Sequence, residues 1–263
     1  MTDGLYDDHP ELYDAVQADW DYDRDVAFVV DRCTRHGVDG ETLLEVGCGT
    51  GEHARRFAER GFAVTAIDKH VAMLDRAREK CAAVREGVDR PVSVDFREAT
   101  LPDPDLDGTY DVVVAIRGVI NHLPADDLSP ALAALRERVA DGGLLVFDNA
   151  PLPPGGNRPG LDAGVIDGER YARVSRHVPR NDGRLDWRSV TFVAGETAFT
   201  DSRPMTPFAD ADVTDALSRA GFAVSTADGY GSDDDRTVFV AVAIPLVAVG
   251  RDPAGSGRSR SRW

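Results

Sequence analysis

Residues 43–52 read Leu-Leu-Glu-Val-Gly-Cys-Gly-Thr-Gly-Glu, an apolar strand that breaks into glycines and then opens a helix. Seventeen residues beyond Gly51, the strand Ala63 to Ile67 ends in Asp68. Glycines in G-x-G-x-G spacing let the backbone bend sharply and admit a ligand without a Cβ in the way. A carboxylate at the end of the following strand is placed to accept hydrogen bonds from a ribose diol. A dinucleotide fingerprint reads G-x-G-x-x-G and turns a helix N-terminus toward a pyrophosphate. Here the third glycine comes one residue early and Glu45 precedes the first. That carboxylate disfavours an anion and tolerates a nucleoside carrying a cationic amino-acid tail, so an NAD oxidoreductase is excluded.

The rest of the chain alternates. Residues 10–36 read as one helix, closed by Gly37. Strands are predicted at 42–46, 62–67, 92–96, 110–116 and 143–148, and helices at 52–60, 70–85 and 125–139. The pattern resumes with a helix at 210–220 and strands at 222–228 and 237–244, joined by the short polar loop Gly229 to Asp235. The fold class is therefore α/β: a Rossmann-like, doubly wound sheet that ends in an antiparallel hairpin. Residues 150–208 differ. Pro151, Pro153, Pro154 and Pro159 make a loop, and two alternating segments, 169–178 and 185–194, turn at Asn181-Asp182-Gly183. The expected domains are an N-terminal helical cap (1–36), an α/β core (37–149 and 209–246), a small antiparallel β lid (150–208) and a disordered tail (247–263). The tail's arginines read either as a frayed end or as a nucleic-acid arm.

Composition narrows the setting. The chain has 263 residues, 42% of them apolar, and suits one α/β domain with an insertion. Net charge is -16, with two lysines (Lys69 and Lys80) and many aspartates. Such a surface is similar to that of proteins from cells with molar internal salt, although a GC-rich genome also favours Arg over Lys. The acidity disfavours nucleic acid as a partner. Cys33, Cys48 and Cys81 are widely spaced, which fits a reducing cytosol and no metal site. No apolar leader is seen at the start. The run Val238 to Val249 is too short to span a bilayer, so a cytoplasmic protein is expected.

The run Glu45-x-Gly47-x-Gly49-x-Gly51, followed by Asp68, resembles motifs I and II of the class I S-adenosylmethionine (SAM) methyltransferases. The resemblance implies SAM as cofactor. Glu45 would lie near the ammonium of its methionine moiety, with Gly47, Cys48, Gly49 and Gly51 giving backbone room and Asp68 taking the ribose. Glu98 and Ala99 would contact adenine, with Lys69 close by. Asp111 to Ile116 resembles motif IV, which puts Ile116 beneath the transfer site. The segment Arg117-Gly118-Val119-Ile120-Asn121-His122-Leu123 is similar to one in small-molecule methyltransferases that act on amines, including aminosugar N,N-dimethyltransferases. Leu12-Tyr13-Asp14, Asp75-Arg76-Ala77-Arg78 and the helix Phe208–Gly221 share that likeness.

On this basis His122 is the candidate base or acceptor-orienting group, Tyr13 a second catalytic contact, and Arg117 and Asn121 candidate acceptor contacts. His122 could instead cap a turn, and Arg117 could pair with a surface aspartate. If Arg117 faces the pocket, the acceptor is anionic. The expected reaction is methyl transfer to N or O of a small molecule. The alternatives are a non-catalytic SAM-binding regulator or a nucleic-acid methyltransferase. The latter is opposed by the missing Asn/Asp-Pro-Pro-aromatic segment and by the absence of a Pro-Cys nucleophile. Oligomeric state is open.

Overall fold

The computed structural model describes residues 4–85, 93–166, 168–195 and 198–245. The predicted tail lies outside them. Among them, seven strands form one mixed sheet: β1 (Thr42–Val46), β2 (Ala63–Asp68), β3 (Val94–Glu98), β4 (Tyr110–Ala115), β5 (Val139–Asn149), β10 (Phe222–Asp228) and β11 (Thr237–Ala243). Their order is β10-β11-β5-β4-β1-β2-β3. The five strands from β3 to β5 are parallel, and β11 runs antiparallel to both β5 and β10. The expected doubly wound sheet with a terminal hairpin is what the chain forms.

Strand alternation divides the core in two. Leu44, Val46, Val113, Ala115 and Phe147 pack against α6 (Leu128–Arg138) and α7 (Asp210–Ala220). Leu43, Val112, Val114 and Val146 pack against α3 (Tyr22–His36) and α4 (Glu52–Glu59). Phe147 and Phe239 are fully buried and stack at 5.2 Å, each contributing about 2–3 kcal/mol of apolar burial.

Three regions depart most from the sequence reading, and β5 also begins at Val139, four residues earlier than expected. The single helix expected over 10–36 is two, α2 (Pro10–Val16) and α3, preceded by a short α1 (Gly4–Asp7). Asp21 caps α3 by accepting from the backbone N–H of Arg24, and Trp20 turns inward to hydrogen-bond Asp25 at 2.6 Å. The helix expected over 125–139 begins as a 3-10 turn, Ala125–Asp127, ahead of α6. The region 150–208 holds four strands rather than two: β6 (Gly160–Ile166), β7 (Glu169–Pro179), β8 (Leu185–Val193) and β9 (Phe199–Met205), in sequence order and antiparallel. The β7–β8 turn falls at Asn181-Asp182-Gly183, as the Asp-Gly pair predicts. The two edge strands carry Gly160, Gly164 and Pro204, residues that read as loop yet are tolerated at a sheet edge.

The N-terminal helices bridge the two sheets. Leu5 and Leu12 form a small third core with Tyr171 of β7, packed against Trp187 and Phe199. Asp14 of α2 accepts from Thr50 (2.6 Å), Lys80 (2.7 Å) and Arg76 (3.0 Å). Arg76 and Lys80 lie on α5 (Val71–Arg85), so two sequence motifs far apart in the chain meet in one ion-paired knot.

Candidate active site

A cavity of 320 Å³ opens at the carboxyl ends of β1, β2 and β4, beneath the N-terminal helices. This is where strand order reverses between β1 and β4, the usual place for a ligand in an open α/β sheet. Its floor is the glycine turn. Gly47 has φ +68° and touches Val119, whose methyl would lie 2.8 Å from a Cβ at Gly47. The turn is tied to the next strand by Cys48 N–H donating to the Ile67 carbonyl at 3.0 Å. Asp68 closes the link: its carboxylate accepts from the backbone N–H groups of Gly49 and His70, both at 2.9 Å. Each oxygen retains a second lone pair to offer a ligand.

Of the sequence-predicted residues, Tyr13, Gly47, Cys48, Gly49, Asp68, Lys69, Ala99, Ile116, Arg117 and His122 line this cavity. Glu45, Gly51, Glu98 and Asn121 do not. Glu45 shares the Leu43 face of β1, which turns its side chain away under the glycine turn. There it is buried, 3.8 Å from Nδ1 of His53, and burial, with Asp68 nearby, pushes its carboxyl well above the usual range. The glycine at 51 serves packing instead, since a Cβ there would meet Ala77 at 2.8 Å. Glu98 is exposed at the end of β3, and the neighbouring Ala99, Thr100 and Leu101 face the cavity. Asn121 is fully buried: its amide donates to Asn149 and to the Thr206 carbonyl and accepts from Ala150 N–H. It pins the loop after β4 to both ends of the inserted sheet, a scaffolding role.

His122 ends a 3-10 turn, Val119–His122, without capping it; the turn is closed by Leu123 N–H donating to Ile120. Its imidazole faces the cavity, 6.4 Å from the Tyr6 ring. Burial, reinforced by the positive charges of Arg203, Lys69, His70 and Arg184, lowers it to about 3, so it is neutral at physiological pH. Tyr13 stands over Gly49, 3.7 Å from where its Cβ would be. Burial raises its phenol, which keeps it protonated. Among the described residues, no surface aspartate pairs with Arg117. Its guanidinium lies 4.2 Å over the Trp20 ring and donates to Gln17 and to the Tyr22 hydroxyl.

Several lining residues carried no local signal in the sequence. Tyr6 comes from the N-terminal α1, His53 opens α4 directly after the glycine turn, and His70 is held by Asp7 at 2.7 Å. A buried chain stands behind His53. Its Nε2 lies 3.1 Å from Asp25 of α3. Burial alone would raise the Asp25 carboxyl, but hydrogen bonds from His53, Trp20 and Arg24 leave it below its ordinary value. His53 itself is lowered by burial. The acids and imidazole of this chain stiffen the glycine turn from behind.

Comparison with known proteins agrees with this geometry. Residues 43–143 match the family model of a methyltransferase domain. A malonyl-[acyl-carrier protein] O-methyltransferase of Serratia marcescens is 35% identical over 51% of this chain, and the match spans about half (48%) of its length. A dTDP-3-amino-3,4,6-trideoxy-alpha-D-glucopyranose N,N-dimethyltransferase of Streptomyces venezuelae is 26% identical over 89% of this chain and 98% of its own. Among solved structures, a SAM-bound amino pentose methyltransferase of Micromonospora echinaspora, involved in calicheamicin biosynthesis, superposes with TM-score 0.69. It is 27% identical and covers 86% of this chain and 92% of its own.

Proposed function

The chain carries a methyltransferase domain on the class I, SAM-dependent fold, and from that premise we propose that it methylates the amine nitrogen of a small acceptor bearing an anionic group. SAM supplies a sulfonium-bound methyl that a nucleophile displaces directly. The residues present fit that cofactor: an acid with spare lone pairs at the end of β2, a glycine turn free of side chains, and small Ala99 beyond β3. In this reading Asp68 takes the ribose diol, Gly47 and Gly49 accommodate the chain of the amino-acid tail, and Ala99 with Thr100 faces the base. Glu45 and Asn121 position loops and touch neither ligand.

The observation that carries the acceptor class is the buried imidazole of His122 facing the cavity together with Lys69. An imidazole lowered to about 3 is a poor reservoir for a proton, but its neutral ring still has one nitrogen that accepts a hydrogen bond. It orients a neutral amine through its N–H and leaves the nitrogen lone pair for the methyl. The same cations that hold His122 neutral favour the neutral form of an amine bound beside it. Lys69 and Arg184 then attract an anionic appendage on the acceptor. The names of relatives that methylate amino sugars support this class. The acidic, lysine-poor surface supports operation at molar salt, where the Debye length is about 3 Å and self-repulsion is screened. Three buried free cysteines are compatible with a reducing cytosol.

The test is turnover. Small amines carrying phosphate, carboxylate or nucleotide groups are incubated with SAM in molar KCl, and the demethylated product S-adenosylhomocysteine is followed. Turnover with an anionic amine, reduced about 10²-fold in His122→Ala with S-adenosylhomocysteine affinity within threefold of the parent, is expected. Equal turnover in His122→Ala overturns the role of His122. Tight S-adenosylhomocysteine binding with no turnover on any amine or alcohol marks a non-catalytic binder instead.

A further inference from the structure

We propose that Arg117 is the binding site for the carboxylate of the cofactor's methionine moiety, and not for a group on the acceptor; this rests on the SAM reading above. The backbone comes first. Arg117 has φ +76° and Gly118 φ +69°, a left-handed pair in which a side chain at 117 costs about 1 kcal/mol and glycine would cost nothing. The pair is clamped from below by Asp148, whose two oxygens accept the N–H groups of Arg117 (2.5 Å) and Gly118 (2.6 Å). Asp148 is fully buried and is itself fixed by the Tyr230 hydroxyl at 2.9 Å and by Arg236 at 3.4 Å. A strained residue so firmly over-determined points to a use for its side chain.

The side chain is built as an anion receptor. Its guanidinium is held by neutral groups alone: the Trp20 face at 4.2 Å, the Tyr22 hydroxyl at 3.3 Å and the Gln17 amide oxygen. Among the described residues no carboxylate pairs with it, although the chain has 46 acidic residues. Its Nε is buried and without a hydrogen-bond partner. Aromatic stacking fixes the plane of the fork while leaving its charge uncompensated at the cavity wall.

Sheet order selects which anion. Asp68 ends β2, the glycine turn follows β1, and Arg117 follows β4, with β1 lying between β2 and β4. From Asp68 to Arg117 is therefore two inter-strand spacings, about 10 Å, along the line of the glycine turn. With the ribose at Asp68 and the base toward Ala99, the amino-acid tail can only run along that turn toward Arg117. The wall bearing His122 has its own cation in Lys69, which lines the cavity, so an anionic acceptor does not require Arg117.

The experiment compares two nucleosides that differ in the tail. S-adenosylhomocysteine and 5′-methylthioadenosine, which lacks the amino-acid moiety, are titrated calorimetrically into the parent, Arg117→Met and Arg117→Gly. The glycine variant fits φ +76° without strain, so it keeps the test valid if the methionine variant misfolds. Expected is a loss of about tenfold to hundredfold in S-adenosylhomocysteine affinity in both variants, with methylthioadenosine affinity unchanged. Equal loss for both nucleosides, or no loss for either with a raised acceptor KM, overturns the carboxylate assignment and leaves the SAM reading standing. Failure of S-adenosylhomocysteine to bind the folded parent sinks the SAM reading and the assignment with it.

Discussion

The two sheets of this protein are built on opposite plans. The seven-stranded sheet buries apolar side chains on both faces, with Leu43, Leu44, Val113, Val114 and Phe147 all fully buried. The inserted sheet is inverted. Its outward face carries Leu161, Val165, Val174, Val190 and Phe192, of which Leu161 is 72% exposed and Phe192 54%. Its inward face carries Arg173, Ser189, Thr191, Asp201 and Arg203, all buried. The register aligns Leu161, Val174 and Val190 in one exposed row. Inside, Arg203 pairs with Asp201 and lies 3.7 Å over the Tyr6 ring and 4.6 Å over Trp187. The first sheet is a platform set by hydrophobic burial. The second combines these buried charges with the small apolar core of Tyr171, Trp187 and Phe199 on the same face, and its arginine contributes to the field that keeps His122 neutral.

The largest effect should separate the plans outright. Phe147→Ala empties a fully buried ring site in the main sheet and should cost about 3–5 kcal/mol in denaturant unfolding; a loss under 1 kcal/mol would contradict the view that burial sets the platform. Next come the buried charges of the inserted sheet. Arg203→Met removes the guanidinium that pairs with buried Asp201 and should cost about 3 kcal/mol, with much of the loss recovered in the Asp201→Leu/Arg203→Met double variant. If the single variant is neutral, charge does not help build that face.

A smaller, pH-dependent effect reports the field. His122 is lowered to about 3 in the folded protein, against about 6.5 when unfolded. Its contribution is therefore present above pH 6.5 and is lost as pH falls from there toward 3. The parent should lose stability relative to His122→Asn across that window, at most about 1.4 kcal/mol per pH unit. A flat difference would mean that the imidazole titrates normally. Smallest of all, Phe192→Ser on the outer face should change stability by less than about 0.5 kcal/mol; a larger loss in the isolated chain would show that this face is covered.

The same inversion explains what could be read without coordinates. The main sheet was legible because runs such as Val112 to Ala115 can be satisfied only inside, and because Gly61 and Gly221 punctuate the helices. The inserted sheet was half legible: the Asp182-Gly183 turn announced β7 and β8, while Gly164 in β6 and Pro204 in β9 hid the edges. The break at 17–21 was hidden because Trp20, an apolar residue at helical spacing, serves as a platform for arginines. In the cavity, Gly47 and Asp68 could be found by spacing, whereas Ala99 and His122 were reached only through the resemblance to the methyltransferase motifs. Tyr6 and Arg203 arrive from opposite ends of the chain, and only folding brings them together. Glu45 and Asn121 look like ligand contacts in a string of letters, but strand parity and a buried hydrogen-bond set turn them inward.

The inserted sheet leaves and rejoins the core at nearly one point. Asn149, its point of departure, donates to the carbonyl of Phe208, where the chain returns, while Asn121 holds Ala150 on one side and Thr206 on the other. Everything between is a detour with a closed mouth. Its length and sequence can change without re-registering any of the seven strands. Over evolutionary time such an arrangement lets recombination exchange the inserted sheet as a cassette while the seven-stranded sheet is inherited intact.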